Sequence, residues 1–221
     1  MNKEKKDNST LSNVFKIKQL SDEEFKKLSS FIFESYGIKM PIEKKIMLQC
    51  RLQKRLRALN INSFKEYIDF VFSKEGREEV IHMIDVVSTN KTDFFREPEH
   101  FDFLKTIALP DIMQQHAITK IIKIWIAGCS SGEEVYTLGI IVSEFLENYP
   151  EYDFSILGTD ISTQILRHAT EAIYKEEKAS VIPLPLKKKY LLRSIDRENP
   201  SVRIVPELRK ENQLHAIEFY G

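Results

Sequence analysis

No apolar run in the sequence approaches the roughly 18 residues that a membrane-spanning helix needs, so insertion into a bilayer by a helix is excluded. Cysteine is scarce. Cys50 and Cys129 are the two in 221 residues, far apart and without metal-type spacing, which fits a reducing compartment and not a disulfide framework. His82, His100, His116, His168 and His215 show no ligand spacing either, so no metal is expected. Charge of one sign is missing: 33 basic and 33 acidic residues cancel, and an electrostatic partner must be met by a local patch. Basic stretches lack interleaved aromatics, so nucleic acid is not an expected partner. The seven glycines nowhere form G-x-G-x-x-G, which argues against a dinucleotide oxidoreductase. The first ten residues, "MNKEKKDNST", have no apolar core of a secretory leader. A cytoplasmic, monomeric, globular protein is the expectation.

Residues 1–13, rich in Lys, Asn and Ser, read as a disordered tail, and residues 14–85 as a helical domain. Ser21 with Glu24 three residues later is a capping box. Phe25, Leu28, Ile32 and Tyr36 follow at helical spacing, and Gly37 supplies a stop. "PIEKKIMLQCRLQKRLRALN" predicts a second helix with Ile42, Ile46, Leu52, Leu56 and Leu59 as its buried stripe. "SFKEYIDFVF", opened by Ser63 and Glu66, is a third helix and "EEVIHMIDVVS" a fourth.

Residues 86–120 read as a linker and helix, and beyond about 120 the texture changes. "IIKIWIAG" is a nearly continuous apolar run, as expected for a strand buried on both faces. "GEEVYTLGIIVSEFLENYP" follows as an amphipathic helix, "DFSILGTD" as a second buried strand and "ISTQILRHATEAIY" as a second helix. Strand and helix alternating predict an α/β fold with a parallel, doubly wound sheet. Residues 176–213 are charged and irregular, broken by Pro183, Pro185 and Pro200, with one strand-like piece, "VRIV". "LHAIEFYG" reads as a third strand. Residues 121–221 would thus be a partial doubly wound domain, whose last strand stays an apolar edge unless something covers it.

Three stretches carry chemistry. "WIAGCSSGEE" is a strand-to-helix turn that lets a ligand approach backbone, but Glu133 and Glu134 would repel a phosphate and suit a positive charge or hydroxyls. They could equally serve the helix dipole. Asp160, ending the second strand in "LGTDIS", can accept from both hydroxyls of a ribose, or cap the following helix in place of Ser162 or Thr163. A ligand with ribose, positive charge and no phosphate describes S-adenosylmethionine, against some other nucleotide-binding α/β domain. The third stretch, "STNKTDFFREPEHF", surrounds two anchoring phenylalanines with the donors Asn90, Thr92 and Arg96. It also reads as a turn opening a helix, with Thr92 or Asp93 near the cap and Pro98 in the first turn.

In this order and spacing, "STNKTDFFREPEHF", "WIAGCSSGEEVYTLGI" and "GTDIS" resemble the chemotaxis receptor methyltransferases, the CheR family, and "RLQKRLRALNINSFKEYIDFV" resembles that family's helical domain. The resemblance implies a helical domain followed by a Rossmann-like methyltransferase domain with a small β insertion, about residues 180–212. It implies an S-adenosylmethionine-dependent enzyme that converts receptor glutamates to γ-methyl esters. By position, Asn90, Thr92, Arg96, Glu134 and Asp160 would contact the cofactor, and the opening stretch would close over it. Arg96 could orient the incoming carboxylate by a charge-assisted hydrogen bond, or form a surface ion pair with Glu97 or Glu99. Val135 stands where the family often has proline. The family's following Asn-Leu pair and "RNV" strand have no counterpart before Gly221, so the chain looks truncated at its C-terminus.

Direct methyl transfer needs no general base, because a glutamate carboxylate is already ionised at neutral pH. On the second helix Lys44, Arg51 and Arg55 fall within about 40° at 100° per residue, bordered by Lys54. This face could steer the acidic helices of a receptor, or be an ordinary solvated face. The rival expectation is a catalytically incomplete receptor-binding module of the same family. No signature for binding a receptor's C-terminal tail is visible in residues 176–213.

Overall fold

A computed structural model describes residues 18–115 and 118–216. The chain divides after Val87 into a helical unit and an α/β unit.

In the helical unit, α1 (Asp22–Tyr36) starts where Ser21 Oγ accepts from the Glu24 N–H and the Glu24 carboxylate accepts from the Ser21 N–H. It buries Phe25, Leu28 and Ile32 and ends at Gly37, whose φ of 69° suits the left-handed cap that glycine adopts without a Cβ clash. A 3₁₀ turn (Ile42–Lys44) leads into α2 (Lys45–Ala58). The expected α2 stripe needs correction. Leu48, Leu52 and Leu56 are fully buried at i, i+4 spacing, while Ile42 and Ile46 are 55% and 73% exposed. Ile46 stands two residues before Leu48, about 200° around the helix, and Ile42 lies in the tighter turn with its different pitch. α3 (Phe64–Val71), capped by Ser63 Oγ, and α4 (Arg77–Val87) complete the unit. The Glu66 carboxylate reaches the Asn62 N–H, one residue beyond the cap. A fully paired polar cluster sits in this core. Buried Glu79 accepts from Arg55 and from the Tyr67 hydroxyl.

The α/β unit opens with α5 (Pro98–Phe103), which runs through a π turn (Leu104–Ala108) into α6 (Leu109–Gln115). β1 (Ile121–Ala127), α7 (Glu133–Leu146), β2 (Asp153–Asp160) and α8 (Thr163–Glu171) follow. β6 (Asn212–Ala216) completes a parallel sheet of order β1-β2-β6, in register at Ile121 with Asp153 and Ile156 with Asn212. Residues 217–221 of the expected third strand lie outside the described residues. Between α8 and β6 come β3 (Ile173–Lys175), α9 (Leu184–Tyr190), β4 (Leu191–Arg193), β5 (Ser201–Ile204) and α10 (Pro206–Glu211). The three short strands form a separate antiparallel sheet, β3-β5-β4.

Three expectations change here. The second helix of the α/β part stops at Glu171, because Ala172 takes a left-handed φ of 53°, and Ile173 and Tyr174 belong to a strand. The segment read as irregular contains two short helices, and Pro183 and Pro206 stand at their starts, where a missing N–H costs nothing. β1 is buried on one face only. Ile122 and Ile126 enter a core with Val135, Tyr136, Ile140 and Ile156, whereas the face carrying Ile121, Lys123 and Trp125 is exposed, Trp125 by 67%.

Candidate functional site

The carboxyl ends of β1 and β2 meet at the turn Gly128–Gly132. Gly128, Ser130 and Gly132 all have positive φ (80°, 50° and 90°), so the turn is tightly folded, with Cys129, Ser130 and Gly132 buried in it. Gly132 has a second constraint. A Cβ there would meet Ala169 Cβ and the Tyr174 hydroxyl at 3.0 Å. The turn is tied to the adjacent strand: the Gly128 and Cys129 N–H groups donate to Thr159 O at 2.7 and 2.8 Å. Asp160 is 5% exposed. Its Oδ2 accepts from the Ser130 N–H at 2.8 Å and its Oδ1 from the Ser162 N–H at 2.9 Å. Ser162, not Asp160, caps α8, through Oγ and the Ile165 N–H. Each Asp160 oxygen keeps a second lone pair beyond the backbone donor it holds.

The two glutamates after the turn have different surroundings. Glu134 is exposed in the first turn of α7. Glu133 is wholly buried, pairs with Lys178 Nζ at 2.5 Å and accepts from Ser131 Oγ at 2.5 Å. The acids leave an electrostatic imprint on Cys129. Burial first, and then the negative charge of Asp160 and, more weakly, of Glu134, push its thiol up to about 12. A site with this field favours positive charge and repels phosphate.

The strap over residues 88–97 lies against the same turn. Ser130 joins the two, donating its N–H to Asp160 and its hydroxyl to Asn90 O at 3.1 Å. The Phe95 N–H donates to Thr137 Oγ1 at 3.2 Å. Phe94 is buried edge-to-face on Tyr174, centroids 4.9 Å apart. Phe95 and Glu97 both have left-handed backbone, with φ of 52° and 59°, which non-glycine residues keep only where the surroundings hold them. Glu97 therefore occupies the cap position of α5 with no side-chain capping bond, and Pro98 follows at the first helical position, so neither Thr92 nor Asp93 is the cap. Arg96 between them is exposed, with its Nε 3.8 Å from the Glu97 carboxylate and its Nη1 donating to Lys91 O at 3.3 Å.

The structure thus gathers Asn90 and Asp160 around Ser130, with half-buried Thr92 on the same strap and Glu134 in the helix that follows the turn. Lys44, Arg51, Lys54 and Arg55 belong to the helical unit. Two of these four are turned to structural partners: Arg55 to Glu79, and Arg51 to Val87 O. Lys44 and Lys54 are exposed. Sequence reasoning missed Ser130, Tyr174 and Lys178, and only the doubling of the glutamates hinted that one acid needed a partner.

Residues 90–218 match the family described as CheR methyltransferase, SAM binding domain, and residues 23–88 match CheR methyltransferase, all-alpha domain. The chain is 37% identical over 187 residues to a chemotaxis protein methyltransferase of Borreliella burgdorferi, covering 83% of this chain and 66% of that protein. It is 32% identical over 213 residues to chemotaxis protein methyltransferase 2 of Pseudomonas aeruginosa, covering 96% and 74%. For the Escherichia coli chemotaxis protein methyltransferase the identity is 29%, covering 86% and 63%. The chain therefore spans between about three fifths and three quarters of these relatives' lengths. S-adenosylmethionine is the cofactor this domain implies, and the residues present fit it. Two acids, Glu134 and Asp160, flank the turn, the neighbouring cation Lys178 is already taken by Glu133, and Asp160 has spare acceptor capacity at a strand end. The chain belongs to the CheR methyltransferase family.

Proposed function

We propose that this chain carries the helical domain and the cofactor turn of an enzyme that methylates glutamate side chains of chemotaxis receptors, giving γ-methyl esters. The observation that supports it most directly is Ser130, which ties the acid-flanked turn to the strap bearing Asn90, Thr92 and Arg96. S-adenosylmethionine, when bound, supplies an electrophilic methyl group. Asp160 accepts from ribose hydroxyls and Glu134 faces the positive end, with Asn90 and Thr92 contacting the cofactor from the strap. Arg96 leaves its long pairing with Glu97 and orients the incoming glutamate carboxylate by a charge-assisted hydrogen bond. The chain's residues would have only to align that carboxylate with the methyl group the bound cofactor would supply, with no proton to move. Exposed Lys44 and Lys54 meet the acidic receptor helix, and the protein acts as a cytoplasmic monomer.

Calorimetry with S-adenosylmethionine, on wild type and on Glu134→Gln, tests the reading. Loss of one charged acceptor should weaken binding by about 1.5–3 kcal/mol. Equal affinity in the two proteins would remove Glu134 from the site. A wild-type protein that binds the cofactor but forms no base-labile methyl ester on receptor membranes would point to the binding-module reading.

A further inference from the structure

Tyr174 stands in β3 of the antiparallel sheet and Lys178 in the turn just after it, yet their polar atoms reach the cofactor turn and the strap. Lys178 Nζ lies 2.5 Å from buried Glu133 and 3.5 Å from Thr92 O. The Tyr174 hydroxyl donates to Ser131 O at 2.7 Å, and its ring packs against Phe94. Burial and the charge of Glu133 hold the Tyr174 phenol far above its usual range, so it stays a neutral donor. Lys178, Glu133, Tyr174 and Phe94 are assigned no contact with the cofactor. Together they fix the two segments to which such contact is assigned.

We propose that Lys178, through Glu133, is a positioning residue: it holds the Ser131–Gly132 turn and the strap in the geometry that presents Glu134, Asn90 and Thr92 to the cofactor. The physical reason is the asymmetry of the pair. The Glu133 carboxylate is wholly buried while the Lys178 side chain is 42% exposed. Without the ammonium the carboxylate has Ser131 Oγ as its remaining side-chain partner, and a buried charge in that position drives the turn to open. The strap then loses its bond from Lys178 and the register of Phe94 on Tyr174. A guanidinium at the same place can bridge the carboxylate and Thr92 O, so Lys178→Arg should keep the function, whereas Lys178→Met should not.

The inference rests on the proposed cofactor role, and two independent readouts separate them. The first is limited trypsin digestion of wild type, Lys178→Met and Lys178→Arg, following cleavage after Lys91 and Arg96 in the strap. Lys178→Met should be cut about tenfold faster, the equivalent of 1.4 kcal/mol, with Lys178→Arg close to wild type. The second is calorimetric titration with S-adenosylmethionine. The dissociation constant should rise by about tenfold in Lys178→Met and recover in Lys178→Arg. A strap equally protected in all three proteins overturns the clasp. Faster cleavage in Lys178→Arg and Lys178→Met alike overturns the positioning role in favour of a purely local packing one. If wild type does not bind the cofactor, the proposed function fails while the cleavage pattern still decides the clasp.

Discussion

Arg55 and Glu79 form a two-pronged pair inside the helical unit, with Nε 2.8 Å from one carboxylate oxygen and Nη2 2.6 Å from the other. Glu79 receives a third bond from the Tyr67 hydroxyl at 2.9 Å. The side chains are 20% and 3% exposed, so this is an interior ion pair and not a surface one. Its geometry is the one in which an arginine is not replaceable by lysine, because two parallel N–H groups address one carboxylate.

Removing one side of such a pair leaves the other charge buried and unpaired. Arg55→Ala is expected to destabilise the helical unit by about 3–5 kcal/mol, measured as a shift in the urea midpoint. Replacing Arg55 and Glu79 together by apolar residues of similar volume should cost much less, since no charge is stranded. If the single and the double variants unfold at the same midpoint, the pair is not what holds α2 to α4.

The same pairing changes how receptor docking is tested. Reversing Arg55 to glutamate would set two buried carboxylates against each other, and any loss of methylation would report unfolding. Lys44 and Lys54 are exposed and free of that difficulty. Lys44→Glu with Lys54→Glu should slow methyl transfer to receptor membranes several-fold at low salt and flatten its salt dependence, while calorimetry shows unchanged cofactor affinity. Equal rates for the two proteins at every ionic strength would remove this face from the encounter.

What the sequence made legible follows from how local each signal is. The capping box at Ser21 and Glu24, the stop at Gly37 and the strand–turn–helix run at Gly128–Gly132 are encoded within a few residues, and each stands as expected. The α2 stripe misled because Ile42 and Ile46 look as apolar as Leu48, and helical phase alone does not say which apolar row meets a neighbour. Phase along the helix also gave no sign that Arg55 in the basic row is paired inward, since its partner is Glu79, 24 residues along the chain. Lys178 lies 45 residues from Glu133, and a contact of that length has no periodic trace. β1 read as buried on both faces because six of its residues are apolar or aromatic, yet alternate ones face outward.

Cys129 offers a probe of the acid-flanked turn that needs no cofactor. Its thiol is buried and pushed up to about 12, whereas Cys50 is exposed. At pH 8 the folded protein should therefore react with iodoacetamide at Cys50 alone, and Cys129 should become reactive only when the α/β unit unfolds. The sign for stability follows. The folded value lies above the ordinary 9.0, so the unfolded thiol ionises first as pH rises. The contribution of this group is complete below about pH 9 and is lost between pH 9 and about 12. Tyr136, buried and raised to about 12, loses its contribution in the same direction at the alkaline end. Asp160→Asn removes the larger of the two acidic causes but not the burial, so it should move the onset of Cys129 alkylation to lower pH than in the wild type. Mass spectrometry of each cysteine peptide across pH 7–11 reads both onsets. Alkylation of Cys129 in step with Cys50 in the folded protein would mean that the turn is open to solvent and that Asp160 does not face it as described.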